Sequence, residues 1–219
     1  MGAVIGDLLP LAVGVAISPI PIVATILMLL STHAGSTSTG FGVGWVMGIV
    51  VVTGLVVLAS GTIDSNGADN GSPAASWTKI VLGTALVVLA IAQWRRRTDT
   101  EVPGWMKAID EFTFLRATGL GMLLSGVNPK NLLLCVSAGI TIGTAGLDGA
   151  GPMGAVIVFT VLAASTVLVP VVGYALARER IQPSLDAVKT WLQANNHQVM
   201  ALILLIMGSV VIGKGLGGL

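Results

Sequence analysis

Six largely uncharged apolar stretches divide the chain, running approximately from Ile5 to Leu30, Phe41 to Ser60, Ile80 to Trp94, Ala117 to Ala145, Met153 to Ala177 and Val199 to Gly213. A hydrocarbon core of roughly 30 Å takes about 20 apolar residues in a helix, and in lipid a helix satisfies its own backbone polar groups. The stretches therefore predict an all-α integral membrane fold with six transmembrane helices. Of the 219 residues, 54% are apolar and 10% charged, too few to coat a soluble globule of this size. A formal net charge of +1 gives no basic face for nucleic acid.

Lysines and arginines orient the spans, because short basic connections stay in the cytoplasm. Arg95, Arg96, Arg97, Lys107 and Arg116 mark the third connection, and Arg178, Arg180 and Lys189 mark the fifth. The connections carrying Asp64, Asp69 and Asp148 face the other side, with only Lys79 near them. Six spans then put both termini outside. The first stretch lacks a basic leader and a small-residue cleavage site, so it is expected to be retained. Two cytoplasmic segments show helical apolar spacing: Trp105, Ile109 and Phe112 after Pro103, and Ile181, Leu185, Val188 and Leu192. Each is expected to be either a short interfacial helix or a solvated loop with one apolar side. The segment from Ser65 to Ser76, rich in Gly, Asn and Ser, reads as an external loop.

The first and fourth spans align over a short core, Ile17-Ser18-Pro19-Ile20-Pro21-Ile22 beside Val127-Asn128-Pro129-Lys130-Asn131-Leu132. A polar residue precedes a proline midway along each. Proline removes a backbone hydrogen bond and pushes the preceding residue out of helical geometry, so both spans are expected to break. Each break opens a three-span half, and an odd number of spans inverts the second half relative to the first. The organisation is thus residues 1–94 as a first three-helix repeat, 95–116 as a cytoplasmic linker and 117–219 as a second three-helix repeat.

Paired breaks near a bilayer midplane point to a transporter's binding site. The candidate substrate-binding residues are Ser18, Pro19, Pro21, Asn128, Pro129, Lys130 and Asn131. Local satisfaction of freed backbone groups by Ser18 is the competing explanation for the first break. Lys130 has no acidic residue near the middle of any span to pair with, and a lysine at that depth costs on the order of 2.5–3.5 kcal/mol. Three outcomes are open: it snorkels, burial keeps it neutral, or it awaits an anionic ligand beside the positive end of the helix that follows Pro129.

Other features are better read as packing. Gly40, Gly44 and Gly48 share a helix face that permits close approach, and Gly139 and Gly143 invite the same reading. The glycine pattern at Gly213, Gly215 and Gly218 follows an apolar helix instead of a strand, so it is no nucleotide site. His33 and His197 lie at span ends without other ligands at metal spacing. A lone cysteine, Cys135, excludes a disulfide and a redox pair, and one turn beyond Asn131 it either lines the same cavity or fills space. No nucleophile has a base beside it, so neither an enzyme nor a cofactor is expected.

The six spans in two halves, with Ser18-Pro19-Ile20-Pro21 in the first span and Gly126-Val127-Asn128-Pro129-Lys130 in the fourth, resemble the lysine-exporter superfamily of small bacterial exporters. Within it, nearly the whole chain resembles the actinobacterial GAP or Sap-like peptidoglycolipid-addressing proteins. That resemblance implies movement of lipid-linked cargo, such as glycolipids, towards the cell envelope, with membrane lipids as partners. The spans lack the acidic groups that export of cationic amino acids calls for, so an anionic or amphiphilic cargo fits better than lysine. The alternatives are a small-metabolite exporter, or an accessory subunit of a lipid-export complex that transports nothing itself. A homo-oligomer and such a complex are the assemblies to test for. A thiol-electron carrier is remote, since one cysteine makes no pair.

Overall fold

The computed structural model describes residues 1–64, 73–96 and 109–218, and among these the regular elements are all helical. The first apolar stretch is two helices, α1 (Gly2–Ala16) and α2 (Pro19–Leu29), bent by 55° at the expected break. Next come α3 (Ala34–Asp64) and α4 (Pro73–Arg95). A single 3-10 turn at Ile109–Glu111 precedes α5 (Phe114–Gly126) and α6 (Pro129–Gly143), so the fourth stretch is also broken where expected. The chain ends in one 66-residue helix, α7 (Gly151–Leu216).

Four segments are each long and apolar enough to cross a bilayer: Ala34–Ser60, Ser76–Arg95, Gly151–Leu176 and Gln182–Leu216. The bent α1–α2 pair makes a fifth. The expected span from Ala117 to Ala145 is carried by α5 and α6, of 13 and 15 residues. At 1.5 Å per residue neither crosses 30 Å alone.

The fifth and sixth apolar stretches, read from the sequence as separate helices joined by a loop, both belong to α7. That helix does not run straight. Thr166 donates to the carbonyl of Ala16, while a methyl group on Gly14 would lie 2.8 Å from Met207 Cγ. Thr166 and Met207 would be about 60 Å apart on a straight helix. The helix therefore doubles back, and its two halves both flank α1.

Glycines set the closest helix contacts, in keeping with their spacing. A Cβ on Gly40 would strike the Phe114 carbonyl and one on Gly44 the Thr118 carbonyl. A Cβ on Gly139 would lie 2.9 Å from the Thr53 carbonyl, and one on Gly143 3.1 Å from that of Val57. Position rises together along both chains, so α5 and then α6 run parallel to α3 over most of its length. By contrast α4 runs antiparallel to the second half of α7, with Gly215 beside Ile80, Gly208 beside Val87, and His197 Nδ1 2.7 Å from Gln93 Oε1. Gly208, Gly215 and Gly218 thus serve helix packing, while Gly213 has open space beside it. Met1 lies against Gly151 and Gly154, and Lys214 pairs with Asp7, so both ends of the described chain sit at one end of the bundle.

Three connections differ from expectation. The stretch from Pro73 to Ser76, assigned to the external loop, is the first turn of α4, because proline is pre-organised for a helix start; the rest of that loop lies outside the described residues. Trp105 also lies outside them, but Ile109 is buried in the main core instead of on an interface. The amphipathic stretch beginning at Ile181 is part of α7, where Leu185 packs with Ile26 and Leu29, and Leu192 is likewise buried. Their apolar face finds protein first. Val188 and Trp191 stay exposed.

Candidate functional site

The two breaks meet. Ser18, Lys130 and Asn131 are 1%, 2% and 0% exposed, among the few buried polar side chains of a largely apolar bundle. Each break begins where the chain abandons helical geometry before proline. Ile17 has φ −82° and ψ 67°, and the Ser18 amide bonds the Ala16 carbonyl at 2.9 Å, an inverse γ-turn. Ser18 is extended, and Pro19 and Pro21 then start α2 without contributing N–H groups. At the second break Asn128 takes ψ 120°, its side chain accepts from the Lys130 amide at 3.1 Å, and Pro129 follows as the first residue of α6. Asn128 is thus a helix cap, half-buried.

Ending a helix inside an apolar bundle leaves its last carbonyls without donors, at a cost of about 1–3 kcal/mol for each one left buried. At α1 all of them are answered. The Gly14 carbonyl accepts from Lys130 Nζ at 2.7 Å and that of Val15 from the Ser18 hydroxyl at 2.7 Å. Thr166 donates to Ala16 at 2.6 Å, and Lys130 Nζ donates again to Ile17 at 3.1 Å. At α5, Asn131 Nδ2 donates to the Leu124 carbonyl at 3.0 Å. That bond fixes the amide's orientation, so Asn131 Oδ1 faces the Ser18 hydroxyl at 3.1 Å. With one proton, Ser18 shares it between Val15 and Asn131.

The environment of Lys130 follows from this. Its ammonium is gripped by carbonyls at the negative end of α1, which suits a cation. Among the described residues no carboxylate pairs with it; the ion pairs Lys189–Asp186 and Lys214–Asp7 lie elsewhere. Two of its three N–H donors are used, leaving one for another partner.

A family model described as Sap, sulfolipid-1-addressing protein, matches residues 8–217. The chain belongs to that family. No curated protein and no solved structure matches it. Membership of the Sap family points to a lipid-related role at a membrane, in keeping with a bundle of several membrane-spanning helices.

In this Sap-family chain the seven sequence-nominated residues fall into two groups. Ser18, Lys130 and Asn131 come together and join the two broken segments; Pro19, Pro21, Asn128 and Pro129 shape the breaks. Pro129 is itself exposed. Sequence reasoning missed Thr166, whose hydroxyl amid apolar residues was the available signal, and Gly14, whose missing side chain admits Met207 and Leu134. It also missed Thr25, which adds a 2.9 Å bond to the Pro21 carbonyl. Cys135, one turn beyond Asn131, is buried in the apolar core.

Proposed function

We propose that this Sap-family protein is a non-enzymatic transporter or flippase, moving an anionic or amphiphilic lipid-linked cargo of glycolipid type from the bacterial inner membrane towards the envelope. The proposed engine is alternating access between two inverted three-helix halves of a lysine-exporter-type fold. One half comprises α1–α2, α3 and α4; the other comprises α5–α6 and the two spans of α7, giving six crossings with both termini outside.

The observation that carries this reading is how the breaks are tied. Among the carbonyls orphaned by the first break is that of Gly14, four residues before Ser18, and its counterpart at the second is that of Leu124, four before Asn128. Lys130 holds the first and Asn131 the second, two adjacent side chains of one helix turn. A cargo that took the ammonium would loosen α1 from α6, leaving the Ser18–Asn131 bond as their remaining polar tie, while α5 stays attached. Such a ligand stabilises the separated arrangement by the difference between its bonds and the carbonyls' bonds, which is what a state-selective ligand must do. Acyl chains leave sideways between helices.

The test is lipid scrambling in proteoliposomes. Fluorescent head-group-labelled lipids, one anionic and one zwitterionic, are reconstituted with purified protein, and externally added dithionite bleaches whatever reaches the outer leaflet. Protein-dependent bleaching of the anionic lipid beyond half of the signal is expected, with loss in Lys130→Met. Absence of movement for every lipid, with folded protein, would transfer support to the accessory-subunit reading. Movement of soluble amino acids instead would favour the small-metabolite exporter.

A further inference from the structure

A second cationic site stands at the opposite end of the bundle from the basic connections. Of the 11 lysines and arginines, Arg95, Arg96, Arg97, Lys107, Arg116, Arg178, Arg180 and Lys189 fall in or beside the connections after α4 and between the two spans of α7. Lys130 is at the breaks. The two that remain, Lys79 and Lys214, come to the same place although 135 positions separate them. Ile80 packs on Gly215, the residue after Lys214, and Lys79 lies within electrostatic reach of both Lys214 and Asp7. This junction joins the second turns of α1 and α4 to the last turn of α7.

Among the described residues the charges there do not balance. Lys214 Nζ donates to Asp7 Oδ1 at 3.0 Å and to the Asp7 carbonyl at 2.7 Å, leaving one N–H. Asp7 is thereby committed. Lys79, half-buried, forms no ion pair among the described residues, so two ammonium groups share one carboxylate. Like charges held together at a helix junction repel, and the arrangement is relieved by an anion. Trp77, two residues before Lys79 and 58% exposed, is an aromatic of the kind that sits at head-group level. The junction therefore lies where lipid head groups lie.

We infer that Lys79 and Lys214 form a binding site for a phosphate or sulfate head group at this end of the bundle, separate from the site at the breaks. A monoanionic oxygen cluster would take the Lys79 ammonium and the spare Lys214 donor together, with Asp7 keeping Lys214 in position.

Native mass spectrometry of the detergent-solubilised full chain tests this, using dioleoyl phosphatidylglycerol and dioleoyl phosphatidylcholine as probes. The wild type is expected to retain the anionic lipid about tenfold better than the zwitterionic one. Lys79→Gln should abolish that preference for one bound lipid, and Lys79→Arg should restore it, which excludes a fold defect as the cause. Circular dichroism of both variants checks that helix content is kept. A third arm adds inorganic sulfate: displacement of the lipid shows that the head-group oxygens alone are recognised, retention shows that the acyl chains add to them, and either result upholds the site. Equal retention by wild type and Lys79→Gln, or equal retention of the two lipids by wild type, overturns the inference.

Discussion

Replacing Lys130 by methionine separates a structural lysine from a working one, because the two opposing costs can be set against each other. The substitution strips the donors from the Gly14 and Ile17 carbonyls, held now at 2.7 and 3.1 Å. Each carbonyl left unsatisfied costs about 1–3 kcal/mol, the lower figure applying to the more exposed Ile17. Against that, the bundle no longer carries an ammonium at depth, which is worth about 2.5–3.5 kcal/mol on insertion scales. The balance lies within about 1.5 kcal/mol of zero in either direction, since the methionine stem keeps most of the apolar packing. Asn131→Leu strips the donor from Leu124 and the acceptor from Ser18 without recovering any charge, so it should cost more, about 2–4 kcal/mol.

Thermal unfolding in detergent, followed by tryptophan fluorescence, measures both variants side by side with lipid scrambling. The expected pattern is that Lys130→Met unfolds close to the wild type yet scrambles no anionic lipid, while Asn131→Leu unfolds at clearly lower temperature. If Lys130→Met unfolds lower than Asn131→Leu, the carbonyl grip outweighs the burial cost and the energetic reasoning is wrong. If it is stable and scrambles like wild type, Lys130 has no part in transport.

Three further outcomes follow from packing and topology. Gly44→Ala drives a methyl group into the Thr118 carbonyl and should lower stability by at least about 1–3 kcal/mol, whereas Gly54→Ala, with open space around it, should gain about 0.5–1 kcal/mol; paired unfolding curves with the same sign would contradict the close α3–α5 contact. Thr166→Val removes the donor to Ala16 and should cost about 0.5–1.5 kcal/mol, and a matched Thr166→Ala variant that unfolds with wild type would show the bond to be immaterial. In a Cys135→Ala background, Asp148→Cys and Lys189→Cys should react with an impermeant maleimide from opposite sides of the membrane; labelling from one side only would rule out the six-crossing path.

Residue type and spacing revealed the helix breaks because part of their cause is local: proline disfavours helical geometry in the residue before it, and Ser18 and Asn128 both leave it, although Leu9, Val169 and Gln182 stay helical before Pro10, Pro170 and Pro183. Glycine spacing likewise announced the α3 contacts, since a missing Cβ matters only where another backbone approaches. The long α7 was illegible for the opposite reason. Between Ala177 and Val199 the one local helix breaker is Pro183, and it lies inside the helix as Pro170 does, so the reversal becomes visible only in the packing of both halves against α1. The inward face of Leu185 and Leu192 was hidden too, because amphipathic spacing does not say whether lipid or protein covers it.

The partners of Lys130 show where reading a sequence for charge falls short. A search for its counter-ion looks for carboxylates and finds none, which made the residue look solitary. Its partners are backbone carbonyls, present in every residue and therefore invisible in a list of side chains, and they become available only because α1 stops at Ala16. The break and the lysine are thus one feature: the proline that ends a helix in one segment creates the acceptors that make a buried cation tolerable in the other. The opposite pairing needs only an amide, since Asn131 meets a single carbonyl at Leu124. Charge sits on one side of a backbone arrangement that repeats, so an anion that drew Lys130 away would loosen one break and leave the other tied.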